Sequence, residues 1–332
     1  MCIYIYICFF FISYKFTNLN RSLMLDMNKQ TFKNLTELSN YGLTFANLLA
    51  IDENLKINKE YLKQIDETFS TELETKDFRN DNLKATKELN EWVKTVTKGK
   101  ISSIFDKPLN KDTKAIIMNA IHFKSNWENQ FNKKLSYVST FNLPDGKKKN
   151  VTYMTISANR LNGAEFKKYF LHSVVRIPFD GGRLWFSIIL PDTIQNHFDY
   201  YAWTTYTIQD TKPQRIDLTL PKFKISQKHD KLKNALKAMG ISDLFDPTAA
   251  DLSNIDGKKD LYVEDIVQKT IFEIDETGAE GAAVTEIVIG PAITSIHQNR
   301  SAIPFVVDKP FIFVISDKKT NVELFTGLVY DP

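Results

Sequence analysis

The stretch Glu276–Ala292, ETGAEGAAVTEIVIGPA, decides how this chain is read. Sorted by the two-residue period of an extended strand, it separates into two faces. One carries Ala279, Gly281, Ala283, Thr285, Ile287 and Ile289; the other carries Glu280, Ala282, Val284, Glu286, Val288 and Gly290. The charges stay on one face, while the opposite face runs from small to large apolar side chains with a single hydroxyl. That is the pattern of a strand with one face against a core. Yet Gly290-Pro291 interrupts it, and Thr294–Ser301 has the composition of a loop. The innermost positions are small, which weakens an obligatory strand because little side chain is buried. A loop of this length inside a compact domain is uncommon without a role. A segment that is loop in one state and central strand in another needs this compromise.

Working outward, Tyr262–Ile274 alternates as a strand leading into the segment, and Phe311–Ser316 with Val322–Val329 reads as a hairpin turned at Asp317–Thr320. Asp81–Val96 predicts a helix, with Ala85, Leu89, Trp92, Val93 and Val96 on one stripe and Gly99 as terminator. Leu43–Ile51 reads as a strand, Lys59–Phe69 as a helix and Ala115–Phe123 as a buried strand. From Phe141 the pattern is β: a turn at Pro144-Asp145-Gly146, strands at Val174–Pro178 and Leu184–Leu190 around Asp180-Gly181-Gly182, and an alternating run at Ile216–Ile225. Gln195–Tyr206 and Asp230–Met239 read as helices, the second capped by Gly240. There is no internal repeat and no linker-like shift in composition, so the expected class is α+β.

Composition narrows the function. The 332 residues are 43% hydrophobic and 25% charged, enough for a substantial core. A net charge of +3 is too mild to argue for a nucleic-acid partner. None of the five histidines stands at metal-ligand spacing with another histidine or a cysteine, and HExxH, GxSxG, P-loop and dinucleotide fingerprints are missing. No catalytic residue, metal site or cofactor is therefore expected. Lys147–Lys149 follows a turn and reads as a solvated hairpin end. Cys2 and Cys8 are the only cysteines, so the body has no disulfide framework. Both lie in an apolar leader, MCIYIYICFFFISYKF, that is too short to span a bilayer and has neither a basic start nor a small-residue cleavage site. It is an atypical signal, a mis-assigned start or a structural segment.

Several blocks together resemble the serpin family of serine protease inhibitors. Glu276–Thr285 resembles the small-residue hinge of that family, and NAIHFKSNWENQF at Asn119–Phe131 resembles its strand-and-breach motif. Leu220-Pro221-Lys222-Phe223, Met239–Phe245, Ala250–Ser253, Asp308–Phe311 and Phe325-Thr326-Gly327 follow in family order. The resemblance implies an α+β serpin fold with large mixed sheets and an exposed reactive-centre loop at about residues 276–304. It places Asn119 at the shutter and Trp127 at the breach, and it implies an ion pair between Lys222 and Glu276. Glu276, Gly278, Ala279, Gly281, Ala282, Ala283 and Thr285 become hinge residues. Where many serpins carry a shutter histidine, Gln268 stands here, and its amide is still able to bond Asn119. The resemblance begins near Leu43, leaving residues 1–40 as a leader outside a partial domain at 41–332, truncated relative to the family's N-terminal helices.

The implied function is suicide-substrate inhibition of a serine protease, the loop inserting into the main sheet after cleavage; a non-inhibitory binding or storage role is the alternative. Family spacing counted from Glu276 puts the scissile bond at Ala292–Ile293, with an elastase-like target. Arg300–Ser301 would suit a trypsin-like enzyme, but eight further residues add roughly 26 Å of extended chain. The expected product is an extracellular monomer with no nucleic-acid or membrane partner. Sequons at Asn34, Asn150 and Asn299 make a secreted chain a candidate glycoprotein.

Overall fold

The computed structural model describes residues 29–30, 33–61, 63, 67, 71–194, 210–229, 232–279 and 301–332. Strands β1 (Leu43–Asp52), β2 (Thr71–Lys76) and β3 (Ala115–Phe123) come first, with helix α1 (Asn82–Val96) between the last two. The two-residue β4 (Ser125–Asn126) precedes β5 (Tyr137–Asn142), β6 (Lys148–Ile156), β7 (Glu165–Lys168), β8 (His172–Pro178) and β9 (Leu184–Pro191). Then come β10 (Lys212–Pro213), β11 (Ile216–Pro221), β12 (Phe223–His229), α2 (Leu232–Ala238) and α3 (Ser253–Asp256). Last are β13 (Asp265–Ile274), the two-residue β14 (Gly278–Ala279), β15 (Ile303–Val306), β16 (Phe311–Asp317) and β17 (Glu323–Val329). Among the described residues two compact units result: one holds residues 29–123 and Ile225–Phe272, the other Lys124–Lys224 and Glu273–Pro332.

In the first unit β1 pairs antiparallel with β3 and parallel with β2, and β13 joins β3 in parallel. Every residue of β3 is buried, as its continuous apolar run requires. Helix α1 lays its stripe, Ala85, Leu89, Trp92 and Val93, on Leu48, Ala50, Ile116, Met118 and Val267. The helix starts because the Asp81 carboxylate accepts the Lys84 amide at 3.1 Å. It stops where Gly99, at φ +79°, returns its N–H to the Lys94 carbonyl. β2 is an edge strand, and its alternating Glu and Lys side chains suit that place.

The second unit carries a six-stranded sheet in the order β10-β7-β8-β9-β16-β17 and a four-stranded sheet in the order β15-β11-β6-β5. The β8–β9 turn uses positive φ at Gly181 and Gly182, which only glycine adopts without strain.

Three expectations change. Ile216–Ile225 is two strands, because Pro221 has no N–H for the ladder and Lys222 turns its own amide to Thr152 before β12 begins. Tyr262–Ile274 becomes a strand only at Asp265, since the Val263 and Glu264 amides bond Leu244 and Ala115 instead. Of the helix expected at Lys59–Phe69, residues 59–61, 63 and 67 are described and helical. Gly278 and Ala279, read as the start of an exposed loop, are buried sheet residues. The helix expected at Gln195–Tyr206, residues 1–28 of the leader, Gly281, Ala282, Ala283, Thr285, Ala292, Ile293 and Arg300 lie outside the described residues.

Candidate functional site

The expected hinge begins at a knot of hydrogen bonds. Asp275 follows β13 directly, and its carboxylate accepts the amides of Thr277 (2.7 Å) and Gly278 (3.2 Å), an Asx turn written locally as Asp-Glu-Thr-Gly. The Asp275 amide donates to the Gly278 carbonyl at 3.0 Å, closing the turn. Two amides then hold it from outside: Trp127 donates to the Thr277 carbonyl at 2.8 Å and Phe131 to the Glu276 carbonyl at 2.9 Å. The indole N–H of Trp127 adds a bond to the Asp275 carbonyl at 2.8 Å. Trp127 is itself fixed, stacked on Phe179 at 4.6 Å between centroids and set edge-on to Phe186 at 5.5 Å.

The turn delivers Glu276 inward, only 3% exposed. Its carboxylate accepts the Ser136 hydroxyl at 2.5 Å, and Lys222 Nζ lies 3.1 Å from the other oxygen. Lys222 reaches it because the chain leaves the ladder at that residue, between β11 and β12. Burial opposes ionisation of Glu276. Hydrogen bonds from Ser136, from its own backbone amide and from Lys222, with the lysine charge, outweigh it and hold the carboxyl below its ordinary value.

Gly278 pairs with Asn126 and Ala279 with Ser125, while Ala279 also opposes Ile274 at the end of β13. The approach at Gly278 is closer than any side chain permits. A Cβ there would stand 2.1 Å from the Ser125 carbonyl oxygen and 2.6 Å from Asn126 Cα, and φ is +155°. Glycine is required by space as well as by conformation.

Asn119 and Gln268 lie in the other unit. β1, β3 and β13 bring Asn47, Asn119 and Gln268 into one register across three strands. Asn119 donates to Asn47 Oδ1 at 2.8 Å and accepts from Gln268 Nε2 at 3.2 Å. All three are at most 3% exposed. The structure thus brings Glu276, Gly278, Ala279, Trp127 and Lys222 together, and separately Asn119 with Gln268. Sequence reading missed Ser136, Asp275 and Asn47. Asp275 was legible as an Asx turn and Asn47 as the one amide in an apolar strand, but nothing local marks Ser136.

This arrangement, sheets in mixed order and a clamped turn at the root of a long segment, is that of the serpin fold. A family model described as Serpin (serine protease inhibitor) matches residues 14–332, so the match extends into the segment expected to lie outside the domain. The chain is 33% identical over 321 residues to Iripin-8 of Ixodes ricinus, covering 95% of this chain and 79% of that protein. It is 31% identical over 308 residues to Serpin B12 of Mus musculus, covering 89% and 70%. The crystal structure of Serpin48 from the insect Tenebrio molitor matches with a TM-score of 0.82 at 28% identity, covering 95% of this chain and 82% of that one. The chain belongs to the serpin family, whose members are generally protease inhibitors rather than catalysts.

Proposed function

We propose that this protein is an inhibitory serpin that traps a serine protease. In this reading the protease attacks the segment beyond Ala279: its serine hydroxyl forms an ester with the Ala292 carbonyl carbon and the Ile293 amine leaves. Gly281, Ala283 and Thr285 then follow Ala279, which is already paired in the sheet, as an added strand, carrying the acylated enzyme with them and distorting its site. The observation that carries the reading is the root at Asp275–Ala279. It is held by backbone bonds from Trp127 and Phe131 and by the Glu276–Lys222 pair, so one end of the loop is fixed where insertion must begin.

The test is an SDS-stable complex with a serine protease. Ala283→Arg, beyond the residues already paired in the sheet, should convert the inhibitor into a substrate, because insertion would bury a charge without a partner; equal trapping by that variant sinks the account. The mass of the released fragment separates an elastase-like cut after Ala292 from a trypsin-like cut after Arg300. Secretion is part of the same reading and rests on the apolar leader; a chain that stays in the cells that express it with this leader defeats that part.

A further inference from the structure

The four-stranded sheet ends in β5, whose outer edge carries no partner strand among the described residues. That edge is apolar at its exposed end: Leu135, Tyr137 and Val138 are 54%, 47% and 66% exposed. The Asn142 N–H donates to the Asp308 carbonyl at 2.8 Å and the Thr140 carbonyl accepts the Tyr153 hydroxyl at 3.1 Å, so the open part of the edge is Tyr137–Ser139. An apolar strand end with open backbone groups is a template for pairing with another chain. Lys133 and Lys134 supply charge just before the strand, but none of β5's own residues is charged.

Next to this edge runs β6 with the sequon Asn150-Val151-Thr152. The register opposes Asn150 to Thr140 and Thr152 to Val138, so the acceptor and its threonine share the face of the exposed valine. Val151 points the other way and is buried. Asn150 is exposed, and its side chain makes no hydrogen bond among the described residues. The other described sequon contrasts with it: Asn34 is half-buried, accepts a hydrogen bond from Gln30 and precedes the buried Leu35.

We propose that Asn150 carries an N-linked oligosaccharide, which shields the β5 edge from pairing with a second chain. The donor is a lipid-linked diphosphate oligosaccharide. The Asn150 amide nitrogen bonds to the anomeric carbon of the reducing-end sugar, the bond from that carbon to the diphosphate oxygen breaks, and one amide proton is released with the lipid diphosphate. The sugar then stands beside Thr140, with Val138 roughly 7 Å further along the same face. In the cell this assignment rests on the secretion reading above.

The full chain is expressed in a eukaryotic secretory host twice, with its own leader and with a foreign signal peptide. Mass spectrometry after enzymatic deglycosylation reads the acceptor. With the foreign signal, Asn150 is expected to be converted to aspartate, and Asn150→Gln to lose one glycan without change in melting temperature. The variant's fraction of dimer and larger species, by sedimentation at equal concentration, should rise at least about threefold, and Val138→Lys added to it should restore the monomer. An unmodified Asn150 behind the foreign signal, or an Asn150→Gln protein as monomeric as its parent, overturns the proposal. Modification behind the foreign signal but not behind the native leader supports the site and defeats the secretion reading. Protease trapping by Asn150→Gln is measured in parallel, so a failed inhibitor is not mistaken for a failed glycan.

Discussion

The root of the hinge and the amide ladder are both buried, polar and carried on strands, yet their hydrogen-bonding capacity is filled differently. At the root, Glu276 brings a full charge inside, and Ser136, Lys222 and its own backbone amide surround it. Each carbonyl from Asp275 to Gly278 also has a donor. In the ladder, Asn47, Asn119 and Gln268 are neutral, and Gln268 Oε1 is left without a partner among the described residues. Two residues along β13 on the same face, Thr270 Oγ1 is in the same position. A buried charge without partners is far more costly than a buried amide or hydroxyl, so the first site must be over-supplied and the second tolerates a shortfall. Mutations should therefore hurt most where the packing is closed and least where capacity is already unused.

The largest effect is expected at Gly278. A methyl group 2.1 Å from a carbonyl oxygen forces the turn or β4 to move, so Gly278→Ala should destabilise the protein by about 3 kcal/mol. Urea unfolding followed by tryptophan fluorescence reads it directly, since Trp127 sits on the turn. A shift below about 0.5 kcal/mol would mean the contact relaxes freely.

The ladder offers an internal contrast. Asn119→Leu removes the partner of both neighbours, leaving Asn47 Oδ1 and Gln268 Nε2 each short of a bond, and should cost about 2 kcal/mol. Gln268→Leu removes one bond and an acceptor that had none, so its cost should be about half as large. Equal losses in thermal unfolding would show that the ladder acts as a unit and that the orphaned oxygen is irrelevant.

Much of this was legible in the sequence, and the boundary has physical reasons. Helix α1 announced itself through its stripe and its terminating glycine, and β3 through seven apolar residues broken only by Asn119 and His122. Glycine at Gly278 was singled out by family pattern, but the reason for it, the Ser125 carbonyl facing the missing Cβ, lies about 150 residues upstream. The break at Lys222 was hidden because apolar alternation continues through Pro221, and periodicity does not register a lost donor. Ser136 was invisible because one hydroxyl in a polar stretch carries no local signal. Contacts distant in the chain are where reading residue by residue stops.

Acid should weaken the root selectively. The Glu276 carboxyl is depressed below its ordinary 4.5, so the unfolded chain takes up its proton more readily than the folded one. Its contribution is complete above that ordinary value and is lost as pH falls through the depressed value. Glu276→Gln should therefore melt below the parent at pH 6, with the gap narrowing steadily below about pH 4.5. A gap independent of pH would assign the loss to packing. Lys222→Ala should cost less, about 1 kcal/mol, because the lysine side chain is 37% exposed and its charge is screened, while Ser136 still bonds the carboxylate.

The smallest effect is the most discriminating, because its sign is at stake. Thr270 is fully buried in β13, and its hydroxyl has no partner among the described residues. Valine has nearly the same shape, favours strands equally and carries no group that must be desolvated. Thr270→Val should therefore be neutral or stabilise by about 0.5–1 kcal/mol, against the destabilisation expected at every other buried polar position named above. Paired urea titrations of parent and variant suffice, with unchanged slopes to show that the same surface is exposed on unfolding. A clear loss of stability would mean that the hydroxyl bonds an ordered water within the fold. In that case the ladder is as fully supplied as the root, and the contrast between the two sites disappears.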